Sequence, residues 1–238
     1  MKSILACLLF NLFVCIGYGE PIFGNASSSE YSPYILAIRF MAKYHDAKRI
    51  SEGELSQLLK QTKSNNARES IFAAYSLSNA WTDNFISAEQ YCKILRDFLE
   101  SESSLLRWAA IELCFIAPPT LLSFNIPSSA SNGERFLMVF LKAKANAEDS
   151  KCHVRLIELF YDFSQSPLKF DYEVSNENRC VKELFENPLL STLFVARVLQ
   201  THKYYNLAKT IVEEMIHNEL AFPPGIVDQS KEFLSQFK

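Results

Sequence analysis

The segment Ser104 to Ala117 limits the fold more than any other stretch of this chain. Leu105, Leu106, Trp108, Ala109, Ala110, Ile111, Leu113, Cys114, Phe115 and Ile116 leave Arg107 and Glu112 as its only charged positions, and Pro118-Pro119 stops it. A helix that is apolar nearly all round cannot lie on a surface; other elements must enclose it. The rest of the chain therefore has to supply a jacket, and Trp108 is expected inside it as a structural anchor.

The flanking sequence supplies that jacket as helices. Ser32-Pro33 sets an N-cap before proline at the first helical position, ahead of Ile35, Ile38, Phe40 and Met41. Ser51-Glu52-Gly53-Glu54 and Ser87-Ala88-Glu89-Gln90 are capping boxes. Ile71, Ala74, Tyr75 and Leu77 turn inward from a helix over 66–81. Tyr91, Ile94, Leu95, Phe98 and Leu99 follow the i, i+3, i+4 spacing of one buried face. Further helices are predicted near 134–146, 150–164, 177–186, 188–200, 203–219 and 226–237. Asn187-Pro188 marks one start, and Pro223-Pro224-Gly225 breaks the pattern before the last helix. The loop after Pro119 up to Gly133 is the longest break, and Pro167 to Asn176 is irregular. No segment shows sustained strand-type alternation. The expected class is all-α.

Composition excludes several functions. The chain has 24 basic and 27 acidic residues, a net charge of −3, and no basic stripe, so a nucleic-acid partner is not expected. After Gly24 only Gly53, Gly133 and Gly225 remain. A phosphate cradle needs several glycines close together, so no nucleotide cofactor is expected. The Gly-x-Ser-x-Gly hydrolase elbow is also missing.

The N-terminus reads as an export signal. Lys2 precedes an apolar run from Ile4 to Ile16, broken only by Asn11 and followed by Gly17-Tyr18-Gly19. The run is short of the ~20 residues of a permanent membrane helix. Residues 1–19 are expected to be a signal peptide, 20–30 a polar leader with the sequon Asn25-Ala26-Ser27, and 31–238 a single helical domain. Leu12-Phe13-Val14-Cys15 looks like a lipobox, but Val14 stands where that pattern wants a small residue, so lipid anchoring through Cys15 is the less favoured route. No later segment is long and apolar enough to span, and with the export signal the mature chain is expected in a periplasm or outside the cell.

Four cysteines, Cys92, Cys114, Cys152 and Cys180, lie beyond the signal. Cys92 and Cys114 flank the turn near Glu102 at similar distances, so in a helix pair they come level. A bridge between them also needs both on the shared seam. The alternative is two reduced thiols packed as small hydrophobes. Cys152-His153 with Cys180 lacks a fourth zinc ligand. Glu214-Met215-Ile216-His217 has the Glu-x-x-His spacing of di-iron bundles, but the second such motif is missing. No metal site is expected.

Two intervals hint at repetition. Arg68 and Arg107 lie 39 residues apart, and Ile111-Glu112-Leu113 recurs as Ile157-Glu158-Leu159, 46 residues on. Both suit units of about 40 to 47 residues. Over Asn66 to Ala117 the chain resembles HEAT-repeat α-solenoids. The resemblance implies an irregular α-solenoid of stacked antiparallel helix pairs, with Asp83 in a turn and Arg107 near the start of the next helix locking neighbouring repeats. Leu193 to His217, with Tyr204-Tyr205 and Ala208, looks like a tetratricopeptide unit. A compact multi-helix domain is the alternative architecture. Arg68-Glu69-Ser70 is similar to the catalytic Glu-Ser of lytic transglycosylases, which would make Glu69 a general acid. Leu77-Ser78-Asn79-Ala80-Trp81 follows instead of that family's Gly-Leu-Met-Gln run, and an exposed helix glutamate is the competing interpretation.

The expected function is an exported, non-enzymatic helical scaffold or binding protein that engages a protein or peptide partner. An enzyme acting on envelope polymer and a small-molecule carrier are the alternatives. Export is testable directly. Mass spectrometry of the native protein should find Glu20, or a residue close to it, at the N-terminus, whereas intact Met1 in protein recovered from the cytosol would overturn it.

Overall fold

A computed structural model describes residues 32–47, 50–116, 123–145, 176–187 and 190–237. The signal segment with Cys15, the leader with its Asn25 sequon, Pro118-Pro119, Cys152-His153 and the helix predicted at 150–164 lie outside the described residues. The described residues form ten α-helices and one 3-10 turn, with no strand. In chain order they are α1 (Pro33–Ala47), α2 (Glu52–Gln61), α3 (Ala67–Thr82), α4 (Ala88–Leu99), α5 (Ser104–Ile116), α6 (Asn132–Ala145), α7 (Asn176–Glu186), α8 (Thr192–Thr201), α9 (Tyr205–His217), the 3-10 turn Glu219–Ala221, and α10 (Pro224–Ser235). The class is all-α. No described helix is long and apolar enough to cross a membrane.

Local chemistry sets where the helices begin. Ser51 Oγ accepts the Glu54 N–H at 3.3 Å, and the Glu54 carboxylate accepts the Ser51 N–H at 3.1 Å. Ser87 and Gln90 make the same exchange at 3.2 and 3.1 Å. Both predicted capping boxes are therefore present, each satisfying N–H groups that a helix start leaves without intrahelical partners. The start expected at Pro188 moves: α8 opens at Thr192, because Ser191 Oγ accepts the Phe194 N–H at 3.2 Å.

Two helices end by the same device. Asn84 and Lys203 sit at φ 62° and 70°. Behind them Phe85 N–H reaches back to the Ala80 carbonyl and Tyr204 N–H to the Leu199 carbonyl, each at 2.8 Å. These are Schellman ends, in which one left-handed residue reverses the chain and an aromatic after it packs on the core. They aim α4 back along α3 and α9 back along α8.

The helix α5 lies at the centre. It packs against α3, α4, α6, α8 and the 3-10 turn. Trp108, Ala109, Ala110, Ile111 and Leu113 are fully buried, as the enclosure argument requires. The C-terminal region closes onto the N-terminal helices: α1 touches the 3-10 turn, and Tyr75 Oη donates to the Ala221 carbonyl at 2.6 Å. A solenoid rests on contacts between neighbouring repeats, and these closures join elements far apart in sequence. The arrangement fits the multi-helix domain, the second of the two architectures named above.

Trp108 packs at a tilt on Phe222, with ring centroids 5.7 Å apart, so it joins the central helix to the C-terminal closure. Replacing Trp108 with Ala should cost about 3–5 kcal/mol, the usual loss for a buried aromatic. Urea unfolding would read this as a large drop in midpoint, and an unchanged midpoint would show that Trp108 is not a core anchor.

Candidate functional site

Among the described residues, chemistry-bearing side chains gather in three places: a buried polar seam at the start of α6, a joint between α5 and α8, and an open cleft between α8 and α10.

The seam begins with Ser131-Asn132-Gly133-Glu134. Glu134 N–H donates to Ser131 Oγ at 3.2 Å, and Ser131 N–H donates to Glu134 Oε2 at 2.8 Å, a capping box for α6. The box turns the Glu134 carboxylate toward α5, where Arg107 Nη2 meets Oε2 at 2.8 Å and Ser104 Oγ donates to Oε1 at 2.7 Å. Arg107 also donates to the Ser101 carbonyl at 2.8 Å. Both charged side chains are almost fully buried, so the pair persists only because each is also hydrogen-bonded.

A second carboxylate enters from α9. Glu214 accepts the Ser131 hydroxyl, and its Oε1 accepts the Gly133 N–H at 3.4 Å. A carboxylate from one helix thus sits on the N-terminus of another, where the helix dipole and open N–H groups favour negative charge. Burial raises the Glu214 pKa, and the neighbouring Glu134 charge adds to that, while hydrogen bonds from Ser131 and Gly133 work against it. Gly133 is required for this approach. A Cβ there would stand 2.6 Å from Glu214 Oε2.

At the second place Glu112, fully buried on α5, accepts both the backbone N–H of Thr192 at 3.0 Å and its hydroxyl at 2.7 Å. Burial raises its pKa, and only the two Thr192 hydrogen bonds oppose the rise. The third place is an open cleft of about 320 Å³ at the surface. Arg197, Gln200 and Thr201 of α8 form one wall, and Gln229, Glu232 and Phe233 of α10 the other. Arg197 Nη2 reaches Gln229 Oε1 across it at 3.5 Å. Arg197 brings a positive charge and Glu232 a negative one, beside the neutral Gln200, Thr201 and Gln229.

The residues singled out from sequence fall as follows. Trp108 is in the core. The HEAT resemblance implied that Asp83 and Arg107 lock neighbouring repeats, without naming a partner for Arg107. Arg107 pairs with Glu134, because the first turn of α5 faces the capping box of α6. Asp83 is exposed and closes the C-terminus of α3 through its backbone N–H. Cys92 is half-buried on α4 and Cys114 buried on α5, standing as separate thiols and not as a bridge. Burial pushes the Cys114 thiol up, and the nearby Cys92 pushes it further; burial raises Cys92 as well, with Arg96 opposing. Glu69 accepts from Ser64 Oγ at 2.8 Å, and Ser70 Oγ donates to the Ser64 carbonyl at 3.0 Å, so this pair holds the turn between α2 and α3. In Glu214-x-x-His217, Glu214 turns to α6 while His217 lies exposed in the last turn of α9. No three His, Cys, Asp or Glu side chains converge as metal ligands among the described residues.

Sequence reasoning did not single out Glu134, Gly133, Thr192 or the cleft. The Ser131-x-x-Glu134 spacing is a capping-box signal and could have located the α6 start. Nothing local in the sequence announces that Glu214 would fill that helix end. Comparison with known protein families, with curated proteins and with solved structures finds no match.

The seam predicts a coupling. Alanine in place of Gly133 gains about 0.5–1 kcal/mol of helix propensity, but here it must also displace the Glu214 carboxylate from its hydrogen bonds. Gly133→Ala should therefore be more favourable in a Glu214→Ala background than in the wild type, by about 1–2 kcal/mol. Chemical denaturation of the four proteins of this cycle measures it; equal effects in both backgrounds would show that Glu214 does not occupy the α6 N-terminus.

Proposed function

We propose that this chain is an exported, non-enzymatic helical scaffold that binds a protein or peptide partner through the cleft between α8 and α10. The observation that carries this is the cleft itself, with amide, hydroxyl, guanidinium and carboxylate groups on its walls. Side chains of that kind match the alternating N–H and C=O groups of a peptide backbone, and arginine is enriched among interface anchors. The apolar run behind Lys2 supports export.

An enzyme acting on envelope polymer would set paired carboxylates in a deep cleft. This cleft is open and carries one carboxylate, Glu232, with the Arg197 guanidinium and otherwise neutral groups. The two carboxylates that do meet at one serine, Glu134 and Glu214, are occupied in holding α6. That distribution favours binding over polymer cleavage.

A photo-crosslinking residue at Gln229, in the cleft, and another at exposed Asp97 on α4 provide the test in the native host. Position 229 should give one defined protein adduct that position 97 does not give. Arg197→Glu should lower that adduct by about tenfold or more, the loss typical of an interface arginine. Equal labelling at both positions, or an adduct indifferent to Arg197→Glu, would remove the cleft as the binding surface.

A further inference from the structure

Glu112 is a buried titratable group that the proposed binding role does not use. Its side chain is fully enclosed between α5 and α8. Oε2 takes both hydrogen bonds from Thr192, the first residue of α8. Oε1 is buried with no hydrogen-bond partner among the described residues. The carboxyl thus fills the first turn of α8 from a different helix, and it is the polar link between these two elements.

Among the described residues, the groups around it bring no compensating positive charge. From α3 comes Tyr75, whose hydroxyl is already donated to the Ala221 carbonyl. The first turn of α8, Thr192-Leu193-Phe194-Val195, has no charged side chain. On the 3-10 turn, Glu219 is exposed and pairs with Lys231. On α6, Glu134 is paired with Arg107, which is also the only cation on α5. On α4, Cys92 acts on Cys114 and Tyr91, and neither Cys92 nor Tyr91 is among the causes of the Glu112 shift. A carboxylate buried without a cation is costly, whereas the neutral acid keeps its acceptor oxygen on Thr192 at far lower cost.

We propose that Glu112 is a pH-operated latch: as the neutral acid it holds α8 against α5, and loss of its proton to solvent loosens α8. Because α8 carries Arg197, Gln200 and Thr201, the latch also sets the position of one wall of the surface cleft. The direction follows from burial, which puts the folded pKa above the unfolded value of about 4.3. The stabilisation is complete below the unfolded value and is lost as pH rises through the folded one. Between the two, the folding equilibrium falls by up to about tenfold per pH unit. Glu214 shifts in the same direction, so a single pH profile does not isolate Glu112.

The test compares wild type with Glu112→Gln, which keeps an acceptor for Thr192 but carries no titrating proton. Urea unfolding from about pH 4 to about pH 9 brackets the carboxyl range. Wild type should lose stability relative to the variant as pH rises, while the Glu214 contribution, common to both proteins, cancels. Parallel profiles would overturn the latch. A second measurement uses wild type alone and stands even if the variant does not fold. Amide exchange at residues 192–195, corrected for intrinsic rates, should accelerate with pH relative to the amides of α3. Protection that stays in constant ratio between the two helices would overturn the proposal equally. Both readouts concern the docking of α8 and hold whether or not the cleft binds a partner.

Discussion

Everything else in the described structure depends on enclosing α5. A helix with so little polar surface contributes its burial energy only when all its sides are covered, so five other elements must reach it. Its two charged residues then become points of attachment. Arg107 draws in α6 through Glu134, and Glu112 draws in α8 through Thr192. Trp108, between them, meets Phe222 from the C-terminal region. Apolar burial supplies the drive, and the two polar links fix which helix goes where. Breaking a buried ion pair by removing one partner typically costs about 3–5 kcal/mol, so Arg107 and Glu134 restrict the arrangement even where their net contribution is small.

A second regularity runs through the molecule. Two helix N-termini take a carboxylate from a helix distant in sequence: Glu214 of α9 serves α6, and Glu112 of α5 serves α8. Each replaces the water that would otherwise satisfy the first-turn N–H groups of a buried helix end. The two sites differ in company. Glu214 shares Ser131 with another carboxylate and is only half-buried, whereas Glu112 is sealed with a single partner residue. The α8–α10 cleft differs from both: its polar groups line an open surface.

Much of the local structure was legible. The capping boxes at Ser51 and Ser87 start helices because their side chains act within one turn, and the i, i+3, i+4 pattern of α4 reports its buried face directly. Trp108 was legible as core because its neighbours on every side of the helix are apolar. The start of α8 was placed at Pro188, since proline fits a first helical position, yet Ser191 supplies the side-chain acceptor that sets the boundary. The resemblance gave Arg107 a role in locking neighbouring repeats without naming its partner. Sequence spacing could not show that the first turn of α5 faces the Glu134 carboxylate.

What the sequence determined alone is whatever acts over one or two turns: the all-α class, most helix boundaries, the caps, and the need to bury Ser104 to Ile116. Tertiary structure decided the rest: that α5 is a hub within a multi-helix domain, that Glu112 meets Thr192, that Glu214 meets Gly133, and that α8 and α10 share a cleft. The physical reason is the range of the forces. Propensity, capping and periodicity are set by residues within about four positions of one another. Apolar burial is non-directional and tells a helix to be covered without saying by which neighbour. That choice falls to a few buried polar atoms whose partners lie far off along the chain, and only the folded geometry brings them within hydrogen-bonding distance.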